Sequence, residues 1–150
     1  MEEIQAAIGA CKVALQRHSP KVVLAHGDFK PSNVVMHEGA VKFIDFELAG
    51  PSYRGFDLMK IFRTAAGASE ADMKSFIGIY ADRCGEGQSE EVVERLIAET
   101  KVFEPLTWLE AAVFFLVLPQ FKPDEVSRWN ALAVDRWVKY EQTKRCLFSS

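Results

Sequence analysis

The sequence predicts a mostly helical α+β domain in which one short β-rich stretch carries the chemistry and helices support it. Three observations lead there. Apolar residues recur at helical spacing before Ser19 and again after Phe56. Between them lie the short β-branched runs Val22-Val23-Leu24-Ala25, Val34-Val35-Met36 and Val41-Lys42-Phe43-Ile44. The chain has 150 residues, 49% hydrophobic and 26% charged, which suits one compact domain over 1–150 and gives no sign of disorder or a fibrous class.

Taken in order, Ile4, Ile8, Cys11 and Leu15 fall on one stripe of an amphipathic helix that Ser19-Pro20 ends. The first β run leads into a polar loop, His26 to Ser32, and the next two runs flank a tight turn at Gly39. A loop held at both ends by strands is suited to presenting side chains. Ala49-Gly50-Pro51-Ser52-Tyr53 is expected to break regular structure, and Phe56 to Phe62 to form a buried helix. Ser69 and Asp72 resemble a capping box for a helix with the stripe Met73, Phe76, Ile77, Tyr80 and Cys84. A further helix starts near Ser89 with Val93, Leu96 and Ile97 inward. Thr107 and Glu110 form a second expected box, opening an apolar helix that stops at Pro119. Asp124 starts a last helix with Val126, Trp129, Ala133, Trp137 and Tyr140 inward.

Composition excludes several function classes. A net charge of −3, with Lys and Arg scattered, offers no basic field for nucleic acid. Cys11, Cys84 and Cys146 are odd in number and contain no CxxC pair, so they read as reduced core residues rather than a disulfide or zinc framework. The start lacks a signal-peptide pattern, and the longest apolar run, Ala111 to Leu118, is too short to span a bilayer. A cytoplasmic location is expected.

The polar residues of the β-rich stretch suit phosphoryl transfer. That reaction needs an oriented acceptor hydroxyl, a metal on the phosphates and spread charge, with little covalent help from the protein. Asp28 at the loop tip can orient and deprotonate a hydroxyl. Mg²⁺ prefers hard oxygen donors, which Asn33 and Asp45 supply. Lys30 can meet the transferring phosphate. A lone HxD would be an ordinary turn, but His26-x-Asp28-x-Lys30-x-x-Asn33 matches the protein-kinase catalytic-loop pattern in its His, Asp and Asn. Asp45-Phe46 follows on a strand-like run, where kinases carry Asp-Phe-Gly, although the third residue here is Glu47. A metal-dependent hydrolase built on His26, Asp28, His37 and Asp45 fits less well, because no supporting pattern accompanies the histidines.

HGDFKPSN, IDFELAG and YRGFD together resemble the choline/ethanolamine kinase and aminoglycoside phosphotransferase superfamily, closest to the choline/ethanolamine kinases in Ile44-Asp45-Phe46-Glu47 and Tyr53-Arg54-Gly55-Phe56-Asp57. The resemblance implies a kinase-like C-terminal lobe that uses ATP and Mg²⁺ to phosphorylate a small-molecule hydroxyl. It implies Asp28 as catalytic base, Asn33 and Asp45 as metal ligands, Asp57 as a buttress of the loop backbone and His26 as a structural residue. Glu47 either holds an acceptor's ammonium group or pairs with Arg54 to brace the loop, the latter being preferred. Aromatic faces and carboxylates bind such cations, and Tyr53 and Trp108 are the candidates, Trp129 and Trp137 reading as core.

Kinase-like enzymes close the nucleotide between two lobes, and the first supplies a lysine for the phosphates. The 25 residues before His26 read as a helix, with no glycine-rich strand-turn-strand. The expectation is therefore a C-terminal lobe with the N-lobe absent: catalytic loop and metal motif over 22–57 and a helical subdomain over 58–150. Such a chain would be weakly active alone and would rely on a missing N-lobe or a partner chain. The alternative is a non-catalytic, pseudokinase-type binding module or a truncated fragment.

Overall fold

The computed structural model describes residues 2–148. Its elements run α1 (Glu2–His18), β1 (Val22–Ala25), β2 (Val34–His37), β3 (Ala40–Phe43), β4 (Gly50–Tyr53), α2 (Arg54–Thr64), α3 (Glu70–Arg83), α4 (Glu90–Lys101), α5 (Glu104–Val117), α6 (Val126–Thr143) and α7 (Arg145–Phe148). The fold is α+β and mostly helical, with two small antiparallel pairs. It divides into two compact units, Pro20–Val102 and Met1–Ser19 with Phe103–Ser150.

In the unit Pro20–Val102, β2 and β3 form a hairpin that pairs Val34 with Phe43 and His37 with Ala40. Its turn residues Glu38 and Gly39 both have positive φ, 53° and 75°, the left-handed geometry that matches strand twist in a two-residue turn. The other pair corrects an expectation. Residues 49–53 do not simply break structure: Gly50–Tyr53 is β4, antiparallel to β1, with Tyr53 opposite Val22 and Gly50 opposite Ala25. Both strands of a two-stranded sheet are edges, so Pro51 needs no ladder donor on its outer side.

Helix α2 follows β4 directly and buries Arg54, Gly55, Leu58, Met59 and Lys60. The expected box opens α3: the Ser69 hydroxyl accepts the Asp72 N–H at 3.1 Å, and the Asp72 carboxylate accepts the Ser69 N–H at 2.8 Å. Its buried residues are Met73, Ile77 and Ala81. Phe76 is exposed at the edge of the Phe62 ring, and Cys84 is exposed beyond the helix end. Helix α4, capped by Ser89, buries Val93, Leu96 and Thr100.

In the other unit, α1 turns a narrower face inward than expected. Ala7, Cys11, Ala14 and Leu15 are buried, while Ile8 is exposed. The small alanines let Trp137 and Tyr140 of α6 come close, and Ala7, Ala10, Trp137 and Tyr140 line one open cleft. The cysteine expectation holds only for Cys11, whose Sγ lies 3.8 Å from the Tyr140 hydroxyl; Cys84 and Cys146 are exposed. Helix α5 starts at Glu104-Pro105, where a proline's missing N–H costs nothing. The expected Thr107–Glu110 box is not formed, since the Thr107 hydroxyl donates to the Glu104 carbonyl at 2.8 Å. A 3₁₀ turn, Pro123–Glu125, precedes α6, which buries Trp129, Ala133 and Tyr140 and leaves Val126 exposed. The Trp129 ring stacks on Phe115 at 6.0 Å and 7°. The short α7 was not expected; its Leu147 is buried, and its carbonyl accepts the His18 Nε2–H at 2.9 Å.

By length and mean hydropathy, 1.6, the stretch Glu90–Gln120 qualifies as membrane-crossing. It is divided between α4 and α5, of 12 and 14 residues, each shorter than the roughly 20 residues a helical span takes.

Candidate active site

Loop 26–33 leaves β1 at its buried end and is fixed by α2 from one side. The Asp57 carboxylate, in the first turn of α2, accepts the His26 N–H at 2.6 Å and the Gly27 N–H at 3.1 Å. One turn on, the Lys60 ammonium donates to the Gly27 carbonyl at 3.4 Å and lies 2.9 Å from Asp28 Oδ1. An anion and a cation three residues apart share a helix face and so meet the donors and acceptors of the loop in turn. Leu48 also comes close: a Cβ on Gly27 would stand 2.3 Å from the Leu48 carbonyl oxygen, and Gly27 has φ 81°. Only glycine fits.

His26 is buried within this scaffold. Its Nε2–H donates to the Ile44 carbonyl at 2.9 Å, leaving Nδ1 to accept the Asp28 N–H at 3.4 Å. Its ring lies 4.7 Å from that of Phe46, and Phe29 meets Phe43 edge-on at 5.6 Å. The histidine therefore joins the loop to the strand that leads to Asp45.

Asn33 is buried, and its amide nitrogen donates to the Asp28 carbonyl at 3.0 Å and to Asp28 Oδ2 at 3.2 Å. This leaves the amide oxygen as the atom for a cation. The Ile44 N–H donates to the Asn33 carbonyl at 3.1 Å, so the backbone carrying Asp45 is stitched to Asn33. Asp45 is exposed and adopts φ 68°, ψ 55°, a left-handed conformation that few non-glycine residues take. Among the described residues, no three His, Cys, Asp or Glu side chains gather into a metal cage. One amide oxygen and one carboxylate fit Mg²⁺ better, because that ion keeps most positions for water and phosphate oxygens.

Asp28, the one carboxylate of the loop, forms a salt bridge to Lys30 on Oδ2 and to Lys60 on Oδ1. Burial alone would push its carboxyl up, but the two ammonium groups outweigh burial and hold it below the ordinary carboxylate value.

Arg54 braces the site from behind, through partners other than the expected Glu47. Its guanidinium, 3% exposed, forks onto Glu99 of α4 with Nε–Oε1 2.9 Å and a second bond of 2.6 Å. It also donates to Glu86, which accepts from Lys21 at 2.9 Å and from Arg95 at 3.0 Å. The Arg54 N–H bonds the Lys21 carbonyl at 3.0 Å, which ties the start of α2 to the start of β1. The carboxylates of Glu99 and Glu86 raise the guanidinium further above its already high value despite burial.

The expected acceptor residues are less concentrated. Glu47 is exposed on a 3₁₀ turn, and half-buried Tyr53 ends β4 opposite Val22. Trp108 belongs to the other unit, where its ring already carries the Lys139 ammonium at 4.7 Å and its indole N–H points to Glu104 at 3.5 Å. A ring face with a resident cation is a poor cage for another. Lys60, Glu86 and Glu99 escaped notice in the sequence. Lys60 had one available signal, its i+3 spacing from Asp57.

A short hairpin and a polar loop buttressed from a helix, followed by further helices, make up the mostly helical α+β fold that holds the candidate site. An ethanolamine kinase of Plasmodium vivax shares it, with a TM-score of 0.77 over 93% of this chain and 39% of that one, at 21% identity. The chain belongs to the choline/ethanolamine kinase family, whose signature matches residues 1–141. Similar proteins include mouse ethanolamine kinase 1, 33% identical over 67% of this chain, and rat ethanolamine kinase 2, 27% identical over 81%. The matches span only 27% and 34% of those relatives' own lengths.

Proposed function

We propose that the chain carries the acceptor- and metal-handling part of an ATP- and Mg²⁺-dependent kinase acting on the hydroxyl of a small amino alcohol of the ethanolamine or choline type. The observation that carries this reading is the joint fixation of Asp28 and Asn33: the loop is clamped by Asp57, and Asn33 donates to Asp28 at 3.2 Å. Asp28 Oδ2 would take the acceptor's hydroxyl proton as the hydroxyl oxygen bonds the γ-phosphorus and the bridging bond to ADP breaks. The Asn33 amide oxygen and Asp45 would hold Mg²⁺, which when bound neutralises charge on the phosphates. The names of the ethanolamine kinases among the relatives support an amino alcohol over an aminoglycoside.

The unit that holds the site also leaves Leu24, Met36, Val41, Phe43, Phe46 and Leu48 exposed, Leu24 by 84%. That exposure supports a reading in which another polypeptide packs against this stretch. An N-lobe or a partner chain is the occupant this reading calls for, and it would complete the nucleotide cleft.

A second reading, a non-catalytic nucleotide-binding module, is favoured by one observation: both Asp28 oxygens are engaged by lysines. Two measurements separate the readings. Calorimetric titration with Mg·ATP should show binding that Asp45→Ala removes, and the chain joined to the polypeptide that completes its cleft should show transfer to a panel of ethanolamine, choline and aminoglycosides that Asp28→Asn removes. Binding without transfer to any acceptor selects the module; neither binding nor transfer overturns both.

A further inference from the structure

Lysines are almost never buried without a partner, because an ammonium group leaves water at high cost. Lys60 is 4% exposed, and two of its contacts are on the catalytic loop, Asp28 Oδ1 at 2.9 Å and the Gly27 carbonyl at 3.4 Å, with the Phe56 ring centroid 5.6 Å away. Lys30, on Oδ2, sits on the loop itself and is 37% exposed. The two cations therefore differ in kind. One is built into the rigid interior of α2, and the other can swing into solvent without unfolding anything.

We propose that Lys60 is a positioning residue for Asp28: it holds Oδ1 while the Asn33 amide keeps its bond to Oδ2, and together they aim the Oδ2 lone pair that Lys30 vacates at the incoming acceptor hydroxyl. This rests on the phosphotransferase reading for the hydroxyl, but the pairing itself does not. A carboxylate with one oxygen fixed loses the rotation that would blur the direction of the other, and orientation is the larger part of what phosphoryl transfer asks of the protein. An ammonium on Oδ1 makes Asp28 a weaker base, a loss this reaction tolerates because its loose transition state needs little proton removal in advance. Asp57 and Lys60 act as a unit, the first fixing the loop's N–H groups and the second its carbonyl and carboxylate.

The test uses the whole chain labelled with ¹⁵N-lysine, observing side-chain ammonium signals at low temperature, where only shielded, hydrogen-bonded groups persist. A slowly exchanging signal is expected that vanishes in Lys60→Arg, shifts in Asp28→Asn and stays in place in Lys30→Met. A Lys60 signal indifferent to Asp28→Asn, or none in the native chain, overturns the pairing. Under turnover with Mg·ATP and ethanolamine, Lys60→Met should lower kcat by about 100-fold, the cost of an ångström-scale misplacement, with KM for ATP unchanged. Lys60→Arg should recover part of that loss. Equal kcat in Lys60→Met and the native chain, at a matched melting temperature, overturns the positioning role. A chain that transfers phosphate to no acceptor even when joined to the polypeptide that completes its cleft fails the phosphotransferase reading and with it the aiming of Oδ2, whereas the ammonium spectrum still decides whether Lys60 holds Asp28.

Discussion

The Asp57 carboxylate and the His26 backbone N–H meet at 2.6 Å, across 31 residues of chain, and the second carboxylate oxygen takes the Gly27 N–H. Hydrogen bonds to a charged group contribute about 1.5–3 kcal/mol, and stranded partly buried donors cost more than neutral replacements would suggest. Asp57→Ala should therefore destabilise the chain by about 3 kcal/mol, while Asp57→Asn, which keeps one acceptor, should lose less. Amide exchange at His26 and Gly27 checks the mechanism: both should accelerate in Asp57→Ala ahead of global unfolding, and unchanged protection there would sink the buttress.

The Arg54 cluster makes a pH prediction. Hydrogen bonds from Lys21, Arg54 and Arg95 hold Glu86 down from its ordinary 4.5 to about 2. A carboxyl depressed in the folded state stabilises fully above its unfolded value, and that stability is lost as pH falls through the folded value. The melting temperature should thus fall between about pH 4.5 and pH 2. In Glu86→Gln this part of the fall should shrink, at the expense of roughly 1 kcal/mol at neutral pH, because Arg54 keeps its fork onto Glu99. Melting curves of both proteins across that range decide it; parallel curves would mean that Glu86 titrates as a free carboxylate.

Gly27 admits no side chain. At φ 81° an L-residue pays about 1–2 kcal/mol, and a Cβ would also lie 2.3 Å from the Leu48 carbonyl oxygen, a backbone atom that cannot swing away. Gly27→Ala should lose about 2 kcal/mol or more in denaturant unfolding. An alanine variant as stable as the native chain would mean that the approach of Leu48 to the loop is wrong.

Much of this site was readable in the chain because its parts are close in sequence. His26, Asp28, Asn33 and Asp45 lie within one strand-loop-hairpin stretch, so their spacing encodes their proximity, and the Glu38-Gly39 turn fixes the hairpin register. Residues that brace the loop from afar left no such trace. Arg54 selects Glu99 and Glu86 from 21 acidic residues, at separations of 45 and 32 positions, and no local pattern marks the choice. Strand β4 was hidden by Gly50 and Pro51, which propensity counts as breakers although the edge of a two-stranded sheet accepts them. On α1 the periodicity was right and the face was shifted: Cys11 and Leu15 are buried as expected, but close approach to Trp137 and Tyr140 favours alanines over the larger Ile8, a packing effect that hydrophobicity alone does not weigh.

Asp45 should show that the site is held against the preference of its own backbone. It is exposed and left-handed at φ 68°, a conformation that costs a residue with a Cβ about 1–2 kcal/mol and glycine almost nothing. Glycine would relieve this strain, although aspartate tolerates the left-handed region better than most residues with a Cβ. Asp45→Gly should accordingly melt at or above the native temperature in the absence of ligand. Asp45→Ala should melt below Asp45→Gly, by roughly 1 kcal/mol. On the proposed kinase reading Mg·ATP should raise the melting temperature of the native chain, since a ligand that binds only the folded state stabilises it by mass action, and both variants should lose that rise. If Asp45→Gly retains that rise, Asp45 is not the metal-holding carboxylate; if Asp45→Gly is the less stable protein without ligand, the strain argument fails independently of any metal.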